Sequence, residues 1–371
     1  MKKKLGTRTW VLLSAAALLL LLSACSSGET ESKEVIEKSG TRITVMDNQA
    51  DSVYTRLKLE RIDKIEGVRG MDWASEDSIV VSQENKAIPA EIWDGQKHYP
   101  QNLYLYDLSS GQQKPLKEGK DNLGGALLSP DKTYVFYKAG YESSGIGYIM
   151  NLATGDTVKT GEGEIAMGEG NWSDNTHVLY SEFPPAAGKV VSVDADGKSE
   201  PAMLTEAKYV ANVVQSGTKI YFTAEEDSRL ITYDTQTKTS EVLGTGVMWV
   251  IPSPDGSRLA VQKRVAPGKV TLSVTDGAGN ELSTVYSGFQ IFGTSWSPDG
   301  SKLAYSTSSE NGNENRLFIT EVETNEQTPI SDEMQASDQL RWSPSGKKLL
   351  GSTTVWKGEA YQFITYVITL S

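Results

Sequence analysis

The sequence has few of the residues on which several common kinds of protein depend. It is 371 residues long and contains one cysteine, Cys25, and two histidines, His98 and His177. A single cysteine excludes an internal disulfide framework and a cysteine-ligated metal site. Two histidines are too few for a multi-histidine metal centre. We therefore predict no metal site, no cofactor and no catalytic residues.

Positive charge is also scarce. The chain has 36 Lys and Arg against 48 Asp and Glu, which gives a formal net charge of −12 at pH 7. Nucleic-acid binders depend on cationic contacts to phosphate, and the Lys and Arg residues form no basic stripe here. We therefore expect no nucleic-acid partner. Hydrophobic residues make up 38% of the chain, which is enough for a core.

Residues 1–24 have the three parts of a secretory signal peptide. Positive charges precede an apolar run of 13 residues, from Trp10 to Leu22, which is too short for an ordinary membrane span. The following Leu22-Ser23-Ala24-Cys25 resembles the bacterial lipobox, in which a diacylglycerol is attached to the cysteine before cleavage. This resemblance implies a lipoprotein acylated at Cys25. The alternative is an uncleaved signal anchor with an incidental cysteine.

Cleavage after residue 24 would change the charge and leave a tether. Residues 1–24 carry four positive charges and no negative ones, so the net charge falls from −12 to −16. Residues 25–40 are polar and charged, which predicts a flexible tether, with a short helix at residues 34–38 as the alternative. Two or more acyl chains anchor a protein stably. We expect a monomer held on the extracytoplasmic side of a bacterial membrane.

Residues 41–371 are predicted to form one domain of repeated units. Each unit has a short strand, a Ser-Pro-Asp-Gly-like turn, two further strands and a second turn, and Trp296-Ser-Pro-Asp-Gly-Ser-Lys-Leu-Ala-Tyr305 is a clear copy. Successive units are spaced by 55, 44, 42, 38, 44 and 46 residues. The residues at the serine position are Ala74, Ser129, Ser173, Gln215, Ser253, Ser297 and Ser343.

Four strands per unit of about 42 residues are typical of a propeller blade. The predicted fold is therefore an all-β, seven-bladed β-propeller with four-stranded antiparallel blades. The last unit lacks a fourth strand after its third. Residues 54–61 alternate apolar and charged side chains, so we predict that they supply this strand and close the ring, which removes two open sheet edges. The tryptophans at one blade position are predicted to pack between blades: Trp73, Trp172, Trp296 and Trp342.

The repeat Trp-Ser-Pro-Asp-Gly-x-x-Leu-Ala-Tyr resembles that of TolB-type, WD-like propellers over residues 54–371. Similar repeats form the propellers of prolyl oligopeptidase-like enzymes, but the chain has no Gly-x-Ser-x-Gly nucleophile elbow. The resemblance implies the fold, and it implies that a partner segment could enter the central channel. It assigns no functional residue, because the matching residues belong to turns and packing.

The segments that do not repeat are more informative about function. The first unit carries an insertion at residues 83–101 that contains Trp93, His98 and Tyr99. We predict that these three residues bind a partner together with Trp249 and Phe292 near the channel mouth, because aromatic side chains favour interfaces. The alternative is that the insertion is a structural cap. Further aromatic residues are predicted on the same face: Tyr141, Phe183, Phe289 and Trp356.

The leading functional prediction is a non-catalytic module that binds a protein, a peptide or an envelope component. The alternative is a lyase or hydrolase that acts on an extracellular glycan. Its acids would be carboxylates near the channel, although no spacing singles out a pair: Glu91, Asp94, Glu142 and Glu182. Of the two histidines, His177 sits inside a repeat hairpin and is predicted to be structural, whereas His98 lies in a loop, where functional residues are common.

Overall fold

The structure is a computed structural model, and it describes residues 33–38, 41–46 and 57–371 except 94, 142, 183–188, 206, 208, 225–226 and 359. The predicted lipid-attachment residue Cys25 lies outside the described residues, as do Asp94, Glu142 and Phe183. All of the described regular structure is β-strand. No helix in this part of the chain has the length and hydrophobicity needed to cross a membrane.

Residues Leu57–Ser371 form one compact unit, which is a seven-bladed β-propeller. Each blade is a four-stranded antiparallel sheet, and six of the seven keep their strands in chain order. Blade 1 contains β4 Val68–Trp73, β5 Ser78–Glu84, β8 Gln101–Asp107 and β9 Gln113–Lys117. Blade 2 contains β10 Leu123–Leu128, β11 Tyr134–Tyr141, β12 Ser144–Asn151 and β13 Thr157–Ala166. Blade 3 contains β14 Asn171–Trp172, β15 His177–Ser181, β16 Lys189–Asp194 and β17 Ser199–Leu204. Blade 4 contains β18 Val210–Ser216, β19 Lys219–Ala224, β20 Arg229–Asp234 and β21 Thr239–Gly244. Blade 5 contains β22 Val247–Pro252, β23 Arg258–Ala266, β24 Lys269–Asp276 and β25 Glu281–Gly288. Blade 6 contains β26 Gln290–Trp296, β27 Lys302–Ser308, β28 Asn315–Glu321 and β29 Glu326–Ser331. Blade 7 contains β30 Arg341–Trp342, β31 Lys348–Lys357, β32 Ala360–Leu370 and β3 Leu59–Glu66.

Two short hairpins lie outside the blades. Strands β6 Glu91–Trp93 and β7 Gln96–His98 pair inside the insertion of blade 1. Strands β1 Lys33–Lys38 and β2 Thr41–Met46 pair antiparallel in the other unit of the chain, Met1–Arg56. The short helix considered for residues 34–38 is therefore replaced by a strand.

The ring is closed by an N-terminal strand, as predicted, but the strand lies further along the chain than residues 54–61. It is β3, Leu59–Glu66, which pairs antiparallel with β32 from Leu59 opposite Leu370 to Glu66 opposite Ile364. The register shifts between Leu59 and Arg61. This shift interrupts the alternation of apolar and polar residues within the strand. The alternating pattern of residues 54–61 therefore ends near the start of β3 and does not mark the strand itself.

Seven hydrophobic clusters form the core, and each lies between two neighbouring blades. The cluster around Val68, Trp73 and Ile79 of blade 1 also contains Leu350 and Val367 of blade 7. The first and last blades therefore share a core, and the ring is continuous. Burial of apolar surface at these interfaces is the main stabilising contribution to the fold.

The repeated tryptophans join blades, as predicted. The indole Nε1 of Trp296 donates a hydrogen bond to the backbone oxygen of Ile251 at 2.9 Å, in the first strand of the preceding blade. Trp73 donates in the same way to Arg341 and Trp172 to Leu127, both at 2.9 Å. The indole thus fills apolar volume between blades while its N–H group is satisfied.

The Ser-Pro-Asp-Gly turns are fixed by a repeated pair of hydrogen bonds. The hydroxyl of Ser253 donates to Asp255 Oδ1 at 2.6 Å and accepts the backbone N–H of Arg258 at 3.0 Å. The turn of blade 6 repeats this geometry with Ser297 and Asp299. The hydrogen bonds that Asp255 accepts from Ser253 and Ser257 favour the ionised carboxylate and lower the pKa of Asp255 to about 2.

Candidate functional site

The antiparallel strand order places two kinds of connection at opposite ends of the propeller. One end carries the loops between second and third strands and the segments that join successive blades; we call it the loop face. The other end carries the Ser-Pro-Asp-Gly-type turns and the turns between third and fourth strands; we call it the turn face. In this arrangement the start of a first strand and the start of a third strand both lie on the loop face. Arg69, near the start of β4, and Phe363, near the start of β32, are neighbours as expected, because the guanidinium lies 5.0 Å from the ring centroid.

Exposed large apolar side chains are concentrated on the loop face. Among the described residues there are ten, of which seven lie on the loop face and three lie on fourth strands, where Leu59 and Leu282 are at the turn-face ends of β3 and β25. The loop-face residues are Ile92, Tyr141, Tyr209, Trp249, Val265, Trp356 and Tyr361, and the fourth-strand residues are Leu59, Val242 and Leu282. All five aromatic members therefore lie on the loop face, and grouped exposed apolar residues mark interaction sites.

Trp356 and Tyr361 form a stacked pair at the tip of the hairpin between β31 and β32. They are cross-strand partners, their ring centroids are 3.8 Å apart, and their planes meet at 24°. They are 63% and 62% exposed. Sequence analysis placed Trp356 on this face and missed Tyr361. The pair presents aromatic surface to solvent, which is the character of an interface anchor.

Trp249 lies beside a β-bulge in the first strand of blade 5, and its side chain is 42% exposed. A Cβ atom at Gly168 would lie 3.5 Å from Cη2 of this indole. Gly168 belongs to the segment that joins blades 2 and 3. The indole of Trp249 in blade 5 therefore extends towards the segment between blades 2 and 3. It lies on the loop face at the mouth of the central channel, where it was predicted.

Phe292 is placed on the same face but is less accessible. Its side chain is partly buried and packs against the cluster between blades 6 and 7, which includes Leu340. Phe289 is also partly buried. These two rings therefore contribute to packing beneath the loop face.

The insertion of blade 1 is anchored at its base by buried amides. The Nδ2 of Asn85 donates to Oδ1 of Asn102 at 3.0 Å and to Oε1 of Glu118 at 2.9 Å. The Nδ2 of Asn102, which is fully buried, donates to the backbone oxygen of Gly119 at 3.0 Å. The backbone N–H of Asn85 also donates to the carbonyl of Pro100 at 2.8 Å, which closes the loop.

The tip of the insertion is solvent-exposed. Ile92 is 70% exposed, and His98 is exposed on the neighbouring strand. Tyr99 is half-buried, and the Nζ of Lys86 lies 6.0 Å from its ring centroid. Trp93 lies in β6, and its side chain is outside the described residues. The insertion therefore has an anchored base and an exposed tip.

One buried position of the repeat is polar in every blade, and sequence analysis did not recognise it. It lies in the second strand, and its residues are each 4% exposed or less. Several of them bond the backbone of the next blade: Ser82 to Leu123, Gln262 to Ile291 and Ser352 to Gly70, at 3.0 to 3.1 Å. The seven residues are Ser82, Lys138, Ser181, Thr223, Gln262, Ser306 and Ser352.

Lys138 is the one charged member of this position. It is 1% exposed, its Nζ donates to the backbone oxygen of Met167 at 3.0 Å, and the same atom lies 4.9 Å from the ring centroid of Phe136. Gly125 has a φ of 58°, and a Cβ there would lie 2.9 Å from this Nζ, so the bulge needs glycine. Burial lowers the pKa of Lys138 to about 7, although Glu169 opposes the shift.

Glu169, in the segment that joins blades 2 and 3, carries a buried carboxylate. It is 7% exposed, and it accepts the backbone N–H groups of Asn212 and Val213 in blade 4. Asn212 adopts a φ of 54°, in the left-handed region that asparagine tolerates. Burial raises the pKa of Glu169, and the two backbone hydrogen bonds act in the opposite direction.

An ion pair crosses the seam between the last and first blades. Arg69 donates from Nε to Oδ2 of Asp338 at 2.7 Å and from Nη2 to Oδ1 at 2.5 Å. Together with Lys138 and Glu169, this pair places charges of both signs beneath the loop face. Lys138 and Glu169 are buried, whereas Arg69 and Asp338 are half-buried, and the hydrogen bonds of these groups hold the bulged starts of the first strands in one arrangement.

Among the described residues, those considered for catalysis or metal binding do not converge. Glu91 is exposed on the insertion, whereas Glu182 lies 3.5 Å from the Nζ of Lys189 in blade 3. His177 Nδ1 lies 2.9 Å from Asp174 Oδ2 within one hairpin. Within the described ranges, no group of three or more His, Cys, Asp or Glu side chains is placed to hold a metal ion.

Comparison with known proteins identifies the fold alone. No protein-family model matches the chain, and no curated protein matches its sequence. An oligogalacturonate lyase from Vibrio parahaemolyticus is 14% identical, with a TM-score of 0.61 over 84% of this chain and 97% of that chain. The β-propeller domain of Myceliophteria thermophila Cps50 (Swd1) is 13% identical, with a TM-score of 0.57 over 82% of this chain and 99% of that chain. TolB from Acinetobacter baumannii is 17% identical, with a TM-score of 0.48 over 71% of this chain and 66% of that chain.

The likenesses to the lyase and to the Cps50 domain, together with the seven four-stranded blades, confirm the propeller class that the repeat predicted. The neighbours have different functions, and propellers host many activities, so the fold does not decide between binding and catalysis.

Proposed function

We propose that the protein is an extracytoplasmic lipoprotein whose propeller is a non-catalytic binding module. The loop face engages a protein, a peptide or an envelope component, and the N-terminal lipid holds the module at a membrane. The observation that carries this proposal is the difference between the two faces: all five exposed aromatic residues of the described chain lie on the loop face.

The aromatic residues have no packing reason to lie there. The core clusters between blades are complete without Trp249, Trp356 and Tyr361, which appear in none of them. Interfaces concentrate their binding energy in a few aromatic anchors that are surrounded by weaker contacts. The stacked pair and the indole at the channel mouth are suited to be such anchors.

The binding proposal is tested by substituting exposed apolar residues on the loop face and elsewhere. Trp249→Ala and Trp356→Ser should each weaken capture of the native envelope partner by about 2 kcal/mol, because each removes an anchor. Leu282→Ser and Val242→Ser are the matched controls, since both residues are exposed on fourth strands. Equal losses in the control variants would refute the assignment of the loop face.

The lipid anchor rests on the sequence of residues 1–25 alone. Cys25→Ser should prevent lipid attachment and leave the protein soluble or as an unprocessed precursor. Membrane fractionation with mass spectrometry of the N-terminus measures both outcomes. A variant that is cleaved after residue 24 and still sediments with membranes would contradict the anchor.

The second candidate function is cleavage of an extracellular glycan. It is favoured by the fold likeness to an oligogalacturonate lyase, although 14% identity carries the fold and no active-site residue. Incubation with oligogalacturonate, followed by ultraviolet absorbance of the unsaturated product, tests it. Product formation that is lost in Glu182→Gln or Glu91→Gln would replace the binding proposal with an enzyme.

A further inference from the structure

The place of Trp249 on the loop face is not set by the hydrophobic core. The residue lies in the first strand of blade 5, and its side chain is 42% exposed. It belongs to none of the seven core clusters of the described residues. Its indole extends towards Gly168, where a Cβ atom would lie 3.5 Å from Cη2. Contacts with other blades must therefore determine where the ring lies.

The backbone beside Trp249 is held by an asparagine of blade 4. Met248 is the bulged residue of β22, because Val247 and Trp249 have cross-strand partners and Met248 has none. The Nδ2 of Asn212 donates to the carbonyl oxygen of Met248 at 2.8 Å and to Oγ1 of Thr223 at 3.0 Å. Asn212 thus fixes the bulge from which Trp249 leaves the strand.

The orientation of Asn212 is set in turn by the carboxylate of Glu169. One carboxylate oxygen accepts the backbone N–H of Asn212 at 2.5 Å, and the other accepts that of Val213 at 3.3 Å. Asn212 lies in a bulge of its own strand and has a φ of 54°, in the left-handed region. The two hydrogen bonds stabilise this uncommon backbone conformation, in which the side-chain amide of Asn212 reaches blade 5.

Glu169 also belongs to the segment that faces the indole. Gly168 precedes it directly, and the carbonyl oxygen of Met167 accepts a hydrogen bond from the Nζ of Lys138 at 3.0 Å. Burial raises the pKa of Glu169, whereas the two backbone hydrogen bonds and the charge of Lys138 oppose this shift. Residues 167–169 are therefore held by blade 2 at one end and joined to blade 4 at the other.

We propose that Glu169 is a positioning residue for Trp249, which it holds at the channel mouth through Asn212 on the backbone side and through Gly168 on the ring side. This inference rests on the proposed function, because it takes Trp249 as a binding anchor. An anchor that is already ordered loses less conformational entropy when a partner binds. Glu169 is 7% exposed, so its carboxylate contributes to binding from beneath the surface that contacts the partner.

The experiment observes Trp249 itself, by fluorine nuclear magnetic resonance of the intact, detergent-solubilised protein labelled with fluorotryptophan. Trp249→Phe identifies its resonance. Trp296→Phe and Trp356→Phe identify two reference indoles, which are 6% and 63% exposed. The difference in chemical shift between light and heavy water measures the contact of each ring with solvent. In the wild-type protein, the value for Trp249 should lie between the two references.

Glu169→Ala should move the Trp249 resonance and raise its solvent effect towards that of Trp356, because the loss of both hydrogen bonds releases Asn212. Asn212→Gly should cause the same change, since glycine keeps the positive φ and removes only the amide. This second variant decides the question if Glu169→Ala does not fold. Glu169→Gln retains one acceptor oxygen for the two N–H groups and should give an intermediate change.

The matched control is Asp72→Ala. Asp72 also lies in a first strand, and its carboxylate accepts the backbone N–H of Trp73 at 2.8 Å and that of Leu128 in the next blade at 2.9 Å. Both bonds lie between blades 1 and 2, away from Trp249. This variant loses a bridging carboxylate of the same kind, so it should lower the melting temperature and leave the Trp249 resonance at its wild-type position.

Two results would overturn the positioning assignment. One is an unchanged Trp249 resonance in both Asn212→Gly and Glu169→Gln, and the other is an equal movement of that resonance in Asp72→Ala. The proposed function is tested separately, because these spectra are recorded without a partner. If Trp249→Ala does not weaken partner capture while the resonance moves as expected, Trp249 is not an anchor and the positioning by Glu169 stands.

Discussion

The two faces of the propeller are built on different rules. The turn face repeats one solution in blades 2, 5 and 6, where a serine hydroxyl donates to an aspartate and accepts a backbone N–H group within the turn. The loop face repeats nothing: it has an anchored insertion, a stacked aromatic pair, an indole across the channel mouth and buried charges. The repeated hydrogen bonds of the turn face therefore stabilise the fold, whereas the features that occur once on the loop face indicate function.

The same contrast appears inside one repeat position. The buried polar position of the second strand is neutral in six blades and is Lys138 in blade 2. A neutral side chain such as Gln262 bonds the next blade equally well, with Nε2 at 3.1 Å from the oxygen of Ile291. The lysine thus adds charge beneath the loop face at a site where the fold alone does not need it.

The largest effect is expected from removing β3, the strand that completes blade 7 and closes the ring. Deletion of residues 59–66 should abolish cooperative unfolding or cause aggregation, because it leaves β32 as an open sheet edge. Deletion of residues 33–46, in the other unit of the chain, is the control and should leave the melting transition of the propeller unchanged. Calorimetry measures both, and a normal melt after the first deletion would contradict the closure.

The next effect separates packing tryptophans from loop-face tryptophans. Trp296→Ala should lower the free energy of unfolding by about 3–5 kcal/mol, because it empties a buried site between blades. Trp249→Ala should lower it by less than about 1 kcal/mol, since that side chain is partly exposed. Chemical denaturation compares the two. Equal losses would mean that Trp249 is a packing residue.

The buried lysine should give a pH-dependent signature. Because its pKa is lowered in the folded state to about 7, the unfolded state binds more protons between pH 7 and the ordinary lysine value. The destabilisation by charged Lys138 is therefore complete below pH 7 and is relieved as the pH rises above 7. Relative to Lys138→Gln, the wild-type protein should gain roughly 3–4 kcal/mol of stability between pH 7 and pH 10. A constant difference across this range would refute the shift.

The smallest effect concerns the turn face. Ser253→Ala should cost about 1 kcal/mol, because the buried hydroxyl both donates to Asp255 and accepts from Arg258. The pKa of Asp255 is lowered to about 2 in the folded state, so its stabilisation is present above the unfolded value and is lost as the pH falls from about 4 to 2. The variant should lose less stability over that acid range. Ser287→Ala, at an exposed position on the fourth strand of the same blade, is the control.

Much of the fold is legible in the sequence because the turn face repeats. Proline, aspartate and glycine at fixed offsets marked the units of blades 5 and 6, incomplete or degenerate copies marked the other five, and the four tryptophans at one blade position marked blade interfaces. The closing strand was misplaced by a few residues because the register shift at Leu59 interrupts its alternation. Local patterns carry turn chemistry, whereas register depends on the partner strand.

Fewer residues of the candidate site than of the fold could be predicted from the sequence. Aligning the seven units would have shown Lys138 where the others have Ser, Thr or Gln. Glu169 gave no such signal, because it lies in a joining segment and its partners, Asn212 and Val213, come from blade 4. Tyr361 was missed because only pairing with Trp356 across the hairpin reveals its role.

The central claim is that the loop face, and not the turn face, contacts the partner. The most direct measurement places a photo-crosslinking amino acid at Tyr141, Tyr209 or Tyr361 on the loop face and at Asp196 or Thr237 on the turn face, in cells. The account predicts covalent adducts of one defined partner from the loop-face positions and none from the turn-face positions. Adducts from Asp196 or Thr237, with none from the three tyrosine positions, would contradict it.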